Sequence, residues 1–302
     1  MIPHPPLRTS SPHQTVRAFS LLVRILLALA DRPKLRSLLT MSKDSPVRVV
    51  SRHPCEDLRP WVKRFLVVEF AQQHADFHLP ESGLFAAFPF RGACQLENGE
   101  FSSHALLTGF HDRVRRHTHS AGSAVVVAAF SPLGASLFVR SPLHEIENST
   151  APLAEFLPTP SMADALVERI VEASDHLQRI QVVENFFLSQ LAVARAPDCL
   201  VSAAIDWIER NPPGDSMQAL VRHIGLSQSA LERRFRRAVG VPPKRFARVV
   251  RLHRAIEMCG EIHDFPRVAH VAGYSDQPHF IHDFKRMTGR TPEEYFAQAK
   301  PA

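Results

Sequence analysis

In roughly the last hundred residues, apolar side chains recur every three to four positions, the spacing of helices that pack by one face. Ser, Asp or Pro stands where several of these helices would begin, and Gly stands where others would end, as helix caps require. The pattern predicts six helices in this part of the chain: Leu200–Arg210, Met217–Ile224, Gln228–Val239, Pro243–Cys259, Arg267–Ala272 and Gln277–Met287.

One arrangement of turn and core residues occurs twice among these helices. The first copy contains Gly225, Ser227, Leu231, Phe235, Gly240 and Pro243, and the second contains Gly273, Ser275, Phe280, Phe284, Gly289 and Pro292. The two copies share the same spacing from the second apolar residue to Gly and on to Pro, and the turn is one residue longer in the second. A short helix, a glycine turn and a capped second helix form a helix-turn-helix unit. We therefore predict two such units, with Ser227 capping one second helix and Ser275 or Asp276 the other.

The predicted helix Pro243–Cys259 connects the two copies. Its apolar stripe includes Phe246, Val249 and Leu252, while arginines occupy its other faces. At 1.5 Å per residue it would be about 25 Å long, enough to hold two second helices at a fixed separation.

The middle of the chain has a different pattern. Short apolar runs separated by Pro and Gly at hairpin-like intervals predict β-strands, of which the clearest are Trp61–Phe70, Leu84–Phe88, Ala105–Thr108 and Ala124–Phe130. A small barrel or a domain of two sheets fits this pattern. Taken with the helices that follow, it gives an α+β fold class.

Helical spacing returns between Ala163 and Val193. The apolar positions expected to face a core are Leu166, Ile170, Leu177, Ile180, Val183, Phe187 and Leu191. These helices would either cover the β-domain or face a second subunit, and core packing is the favoured interpretation. Arg195–Asp198 is the expected hinge to the C-terminal helices.

Charge is distributed unevenly along the 302 residues. Residues 215–302 contain 15 Lys and Arg against 9 Asp and Glu, and residues 1–43 contain 7 against 1, whereas residues 44–214 contain 14 against 20. A basic surface suits a polyanion such as DNA, and an acidic one does not. Contact with DNA is therefore expected in the C-terminal part.

The first forty residues are basic and contain Pro, Ser and His. They predict a disordered arm, because little apolar surface is available to bury; the alternative is that Met41 is the true start and the preceding residues are not translated. The apolar stretch Phe19–Ala30 is about half the length needed to cross a membrane and contains Arg24, which favours a weak helix over a membrane anchor.

Cysteine usage indicates a reducing compartment. Cys55, Cys94, Cys199 and Cys259 show neither CxxC nor metal-ligand spacing. We expect reduced thiols in a cytoplasmic protein.

The second copy, from Val268 to Phe296, resembles the signature of the AraC/XylS family of bacterial transcription regulators almost position by position. The likeness extends from near Cys199 to Phe296, about a third of the chain. It implies a DNA-binding domain at 195–302, preceded at 42–194 by a cupin-like β-barrel for sensing or oligomerisation, with 1–41 as the basic extension. It also implies a sequence-specific regulator, an activator or a repressor, whose partners are double-stranded promoter DNA, RNA polymerase, a small-molecule effector of unknown identity and a second copy of the chain.

The resemblance places DNA-contacting residues on the second helix of each copy: Ser229, Glu232, Arg233 and Arg237 on the first, and Gln277, Pro278, His279, Ile281, His282 and Lys285 on the second. Their chemistry agrees in part, because Arg can grip guanine O6 and N7, Gln can pair with adenine, and Glu can accept from cytosine N4. His282 departs from the family, which commonly has Arg there. Ile281 offers only apolar contact, so the second helix is the less polar of the two.

The histidines of the β-region raise a metal hypothesis. His117 and His119 would point the same way on a strand, with His74, His78 or His111 as a third ligand. Because Arg113, Arg115 and Arg116 are adjacent, an exposed basic loop or an anion-binding patch is favoured, and no metal or other cofactor is expected.

Two other function classes each require a feature that the sequence should show. A cupin-type metalloenzyme with an accessory helical domain would need a full ligand set, and an alkyl-transfer DNA-repair protein would need a reactive cysteine cluster near its N-terminus. Neither is identifiable, so we predict that the chain is not an enzyme.

Overall fold

The computed structural model describes residues 46–95, 99–211, 217–259 and 264–297. The predicted extension at 1–41, including Phe19–Ala30, lies outside these residues. The described residues contain ten strands: β1 Val47–Arg52, β2 Val62–Phe70, β3 His74–His78, β4 Phe85–Arg91, β5 Cys94–Gln95, β6 Phe101–Ser102, β7 Leu106–Thr108, β8 Arg115–His119, β9 Ala124–Phe130 and β10 Thr150–Pro152.

The strands form two antiparallel sheets. One has six strands in the order β1-β2-β9-β4-β7-β10, and the other has four in the order β3-β8-β5-β6. β2 lies next to the edge strand β1 of the larger sheet. Alternation along β2 sends Phe65 and Val67 into the main core and Leu66 and Val68 into a smaller cluster on the opposite face. The sheet-rich N-terminal region is thus confirmed, while closure into a barrel stays a prediction.

Ten α-helices occupy the described residues: α1 Ala135–Phe138, α2 Ser161–Glu172, α3 His176–Leu191, α4 Cys199–Arg210, α5 Met217–Ile224, α6 Gln228–Val239, α7 Pro243–Cys259, α8 Phe265–Val271, α9 Gln277–Thr288 and α10 Pro292–Ala297. The predicted bounds of α5, α6 and α7 are correct. The helical stretch predicted from Ala163 to Val193 is two helices, separated by a short turn in which Asp175 caps α3.

Helix α3 covers one face of the six-stranded sheet. Phe187 packs its ring against Phe130, at a centroid distance of 5.3 Å, and against Phe138, at 4.8 Å. The buried Glu184 accepts a hydrogen bond from the backbone N–H of Cys55 at 2.6 Å. The prediction that these helices pack on the core is therefore confirmed, except at Leu177, which is 58% exposed in the first turn of α3.

Candidate nucleic-acid interface

Helix α6 is fixed at both ends by its own sequence. The Ser227 hydroxyl accepts from the backbone N–H of Ala230 at 3.3 Å, which is the predicted N-cap. Gly240 ends the helix in the left-handed conformation, with φ of +99°, where a side chain would be strained. Leu231 and Phe235 are fully buried, so the opposite face is left for solvent or a partner.

Helix α9 has the same construction. Its cap is Asp276, whose carboxylate accepts from the backbone N–H of His279 at 2.7 Å, rather than Ser275. Gly289 ends the helix with φ of +79°, and Phe280 and Phe284 are fully buried. The two helices thus present equivalent faces because they are capped, terminated and anchored at corresponding positions.

The side chains predicted to contact DNA divide into exposed and half-buried groups. Exposed are Ser229, Arg233, Arg237, Pro278, His279, His282 and Lys285, and half-buried are Glu232, Gln277 and Ile281. Glu232 accepts a hydrogen bond from Gln228 at 2.8 Å, which holds its carboxylate along the helix. Ile281 packs partly against the core and so offers a small apolar surface.

A buried charge joins helix α7 to helix α9. The carboxylate of Asp283 on α9, which is 4% exposed, forms a hydrogen-bonded ion pair with Arg248 on α7. Arg286, one turn further along α9, lies 3.9 Å from the same carboxylate. This cluster sets the position of α9 on the connecting helix. It was not predicted, because nothing in the sequence distinguishes Asp283 from an exposed polar residue.

Two loops of the β-region dock on the C-terminal helices. The backbone N–H of Val114 donates to the carbonyl of Met287 at 2.8 Å, near the end of α9. Arg245, at the start of α7, pairs with Asp112 at 2.8 Å and also with Glu147. At the end of α6, a Cβ built on Gly240 would lie 3.2 Å from the Leu143 carbonyl oxygen. The ends of α6 and α9 and the start of α7 therefore contact the acidic region directly.

The histidines of the metal hypothesis lie on strands and in the interior. The expectation of an exposed basic loop is wrong: His117 and His119 belong to β8, and His117 is 8% exposed. The rings of His117 and His78 are 4.8 Å apart, and the His119 ring stacks on Phe70 at 3.9 Å. Within the ranges that the structure describes, no three His, Cys, Asp or Glu side chains are grouped to hold a metal ion.

Burial keeps these imidazoles neutral. The pKa values of His111 and His117 are lowered to about 3, mainly because burial removes solvent from the rings and secondly because the positive charge of Arg115 is close. The Nδ1–H of His111 donates to the Gly109 carbonyl at 2.7 Å, which fixes its neutral tautomer. Both His111 and His117 are therefore uncharged near neutral pH.

This burial predicts a loss of stability in mild acid. In the unfolded chain each histidine has a pKa near 6.5, so below that pH the unfolded state binds protons that the folded state does not. The free energy of unfolding should fall by about 1 kcal/mol for each of His111 and His117 as the pH drops from 6.5 to 5.5, and the slope should approach about 1.4 kcal/mol per pH unit for each at lower pH. Urea unfolding at a series of pH values measures this slope.

A matched pair of variants assigns the slope. His117→Gln should reduce the pH dependence of the unfolding free energy by the contribution of one histidine. His144→Gln, at an exposed position, should leave it unchanged. An unaltered slope in His117→Gln would contradict the assignment.

The comparisons with known proteins agree with the helical geometry. Residues 220–298 match a family described as a helix-turn-helix domain, and the matched span contains α6, α7, α8 and α9 entirely. The chain carries an AraC-type helix-turn-helix domain. Residues 51–152, within the β-region, match a domain of unknown function, DUF6597. No curated protein matches the chain significantly.

Three solved structures illustrate the range of structural likeness to this chain. ToxT from Vibrio cholerae is 13% identical, with 84% of this chain and 98% of ToxT covered and a TM-score of 0.41. The C-terminal domain of AraT from Geobacillus stearothermophilus is 19% identical over 35% of this chain and 89% of its own, with a TM-score of 0.33. An AraC-type DNA-binding domain-containing regulator from Chromobacterium violaceum is 25% identical over 34% of this chain and 95% of its own, with a TM-score of 0.32.

Of the helices that the structure describes, none is both long and apolar enough to span a bilayer.

Proposed function

We propose that the chain is a sequence-specific DNA-binding transcription regulator whose α5–α6 and α8–α9 pairs are both helix-turn-helix units. The observation that carries this proposal is the matched construction of α6 and α9. Each has a side-chain N-cap, a left-handed glycine at its end and a buried aromatic anchor, which leaves one face of each helix open. The 17-residue helix α7 between the units sets a separation suited to successive major-groove segments.

The first unit supplies the polar contacts. Arg233 is exposed on the face of α6 away from Leu231 and Phe235, where it can reach guanine O6 and N7 together. We also assign base contacts to Ser229, about one turn nearer the N-terminus of that helix, and to Glu232, the residue before Arg233, which would accept from cytosine N4. Arg237 lies on the side of α6 next to the hinge, so we assign it a phosphate contact rather than a base contact.

The second unit supplies fewer charged contacts. We assign Gln277 to adenine, His279 and His282 to phosphate or base edges, and Lys285 to phosphate. His279 Nδ1 lies 3.0 Å from the Ser275 hydroxyl, which restrains its ring at the start of α9. Pro278 and Ile281 offer apolar contact, for example to a thymine methyl group.

The β-region supplies regulation in this proposal. Its acidic composition disfavours contact with DNA, and its loops hold the ends of both α6 and α9. A small-molecule effector that alters these loops would change the relative placement of the two helices. RNA polymerase and a second copy of the chain are further partners that we assign to the full-length cytoplasmic protein.

Binding of the full-length protein to duplex DNA tests the proposal. We expect affinity to fall steeply with salt, because each neutralised phosphate adds about 0.9 to the slope of log K against log salt concentration. Fluorescence anisotropy at several KCl concentrations measures this slope. A folded protein with no salt-sensitive affinity for duplex DNA would refute it.

A further inference from the structure

A cavity of about 670 Å³ lies where the hinge meets helix α6. Most of its wall comes from three parts of the chain: residues 136–141 of the β-region, residues 193–198 at the hinge, and the side of α6 that carries Arg234, Arg237 and Ala238. Pro158 and Gln190 complete the wall. Small-molecule sites in proteins commonly enclose about 300–1,000 Å³ and lie where domains meet. The cavity therefore has the size and the place of a ligand site.

The walls are strongly cationic. Four arginines line the cavity, Arg140, Arg195, Arg234 and Arg237, against one acid, Asp198. Arg234 pairs with Asp198 at 2.8 Å. Between the residues that the structure describes, no ion pair joins any of the other three guanidinium groups to a carboxylate. Three positive charges from three different walls thus face one space.

The rest of the lining is mixed: Ser136, Ser141 and Gln190 are polar, and the other side chains are apolar. Leu137 and Val139 come from the β-region, and Val193, which is 79% exposed, comes from the turn after α3. An exposed valine beside a group of arginines favours an occupant with an apolar body and a charged end. Guanidinium groups bind phosphate and carboxylate through paired N–H donors, which a monatomic anion cannot match.

We propose that this hinge cavity binds a small organic anion that carries a phosphate group or two carboxylates. Arg140 and Arg195 hold the charged group from the β-region and the hinge, and Arg237 reaches it from α6. The bound anion then ties α6 to the β-region, so its concentration sets how freely the first recognition helix moves. This regulatory consequence rests on the proposed DNA-reading function, whereas binding of the anion does not.

Inorganic phosphate and citrate are the probes for binding to the full-length protein. At constant ionic strength we expect saturable binding of at least one of them by isothermal titration calorimetry. The double variant Arg140→Gln/Arg195→Gln should bind it about tenfold or more weakly, since each arginine supplies a charge-assisted hydrogen bond. Arg169→Gln, at an exposed arginine on α2 outside the cavity, is the matched control and should bind as the parent does.

Two results would overturn the cavity as an anion site. One is the absence of saturable binding of either probe, and the other is equal binding by the double variant, which would place the anion elsewhere on this basic chain. Folding of the double variant is checked by its thermal unfolding temperature, with the single variants Arg140→Gln and Arg195→Gln as replacements if it is unfolded. Each single variant should then weaken binding by a smaller factor.

DNA binding measured with and without the probe separates this inference from the proposed function. The saturating probe should change the affinity for duplex DNA at constant ionic strength in the parent and in Arg169→Gln, but not in the double variant. Binding of the probe with no such change would refute its regulatory role. If the probe binds the cavity and no protein binds DNA, the proposed function fails and the anion site stands.

Discussion

Replacing Arg233 with Ala is expected to abolish discrimination at one base pair of the target sequence. A bidentate contact of Arg with guanine contributes about 1–3 kcal/mol of discrimination, or roughly 5- to 150-fold in relative affinity. Arg233 is exposed on α6, and its position is defined because the helix is capped at both ends. Selection of binding sites from a random duplex library, by the parent and by the variant, measures the preference at every position.

Arg237→Ala is the control for this prediction. Arg237 lies on the same helix, carries the same charge and is assigned to phosphate, so its loss should weaken binding to all sequences alike and reduce the salt slope by about one contact. Both proteins are compared in chloride buffer, without phosphate or citrate. Should Arg233→Ala select the same sequence as the parent, the base contact is assigned wrongly.

Replacing Asp283 with Asn should destabilise the protein more than an ordinary surface substitution. The carboxylate is buried between Arg248 and Arg286, so an amide leaves a partly buried guanidinium without its charged partner. Loss of such a hydrogen bond costs about 1–3 kcal/mol. The free energy of unfolding in urea gives the difference directly.

The matched control is Asp206→Asn on α4. Asp206 pairs with Arg210 at 3.2 Å, and both side chains are more than half exposed. Exposed pairs of this kind contribute about 0–1 kcal/mol, so this variant should unfold almost as the parent does. Equal losses in the two variants would mean that the buried cluster has no special role in placing α9 on α7.

The helical half could be predicted closely because its signals are local. Ser227 lies three residues before the N–H group that it caps, and Gly240 ends the helix through its own backbone conformation. The pattern of buried residues in α6 and α9 follows directly from helical spacing. Only the cap of α9 stayed open in the sequence, because Ser275 and Asp276 are adjacent and both can accept the hydrogen bond.

The β-region could be predicted less well because its signals depend on distant partners. β8 was missed, since Arg115–His119 contains no alternation of apolar and polar residues, and the burial of neutral imidazoles leaves no mark in the sequence. Leu177 follows helical spacing but lies in a first turn that extends beyond the core.

The docking of the two regions was not predictable at all. Arg245 meets Asp112 and Glu147 across more than a hundred and almost a hundred intervening residues, respectively. No spacing rule links such positions. The hinge cavity has the same origin, because its arginines come from three separate segments.

Methylation protection of guanines by the full-length protein on a selected duplex tests the central claim most directly. The account predicts two protected major-groove segments on one face of the DNA, with centres about 10–10.5 base pairs apart, because α6 and α9 read successive turns. Ala substitution of Arg233 should remove protection in one segment and leave the other. Protection of only one segment, or the absence of any localised protection, would contradict the claim that both helices read DNA.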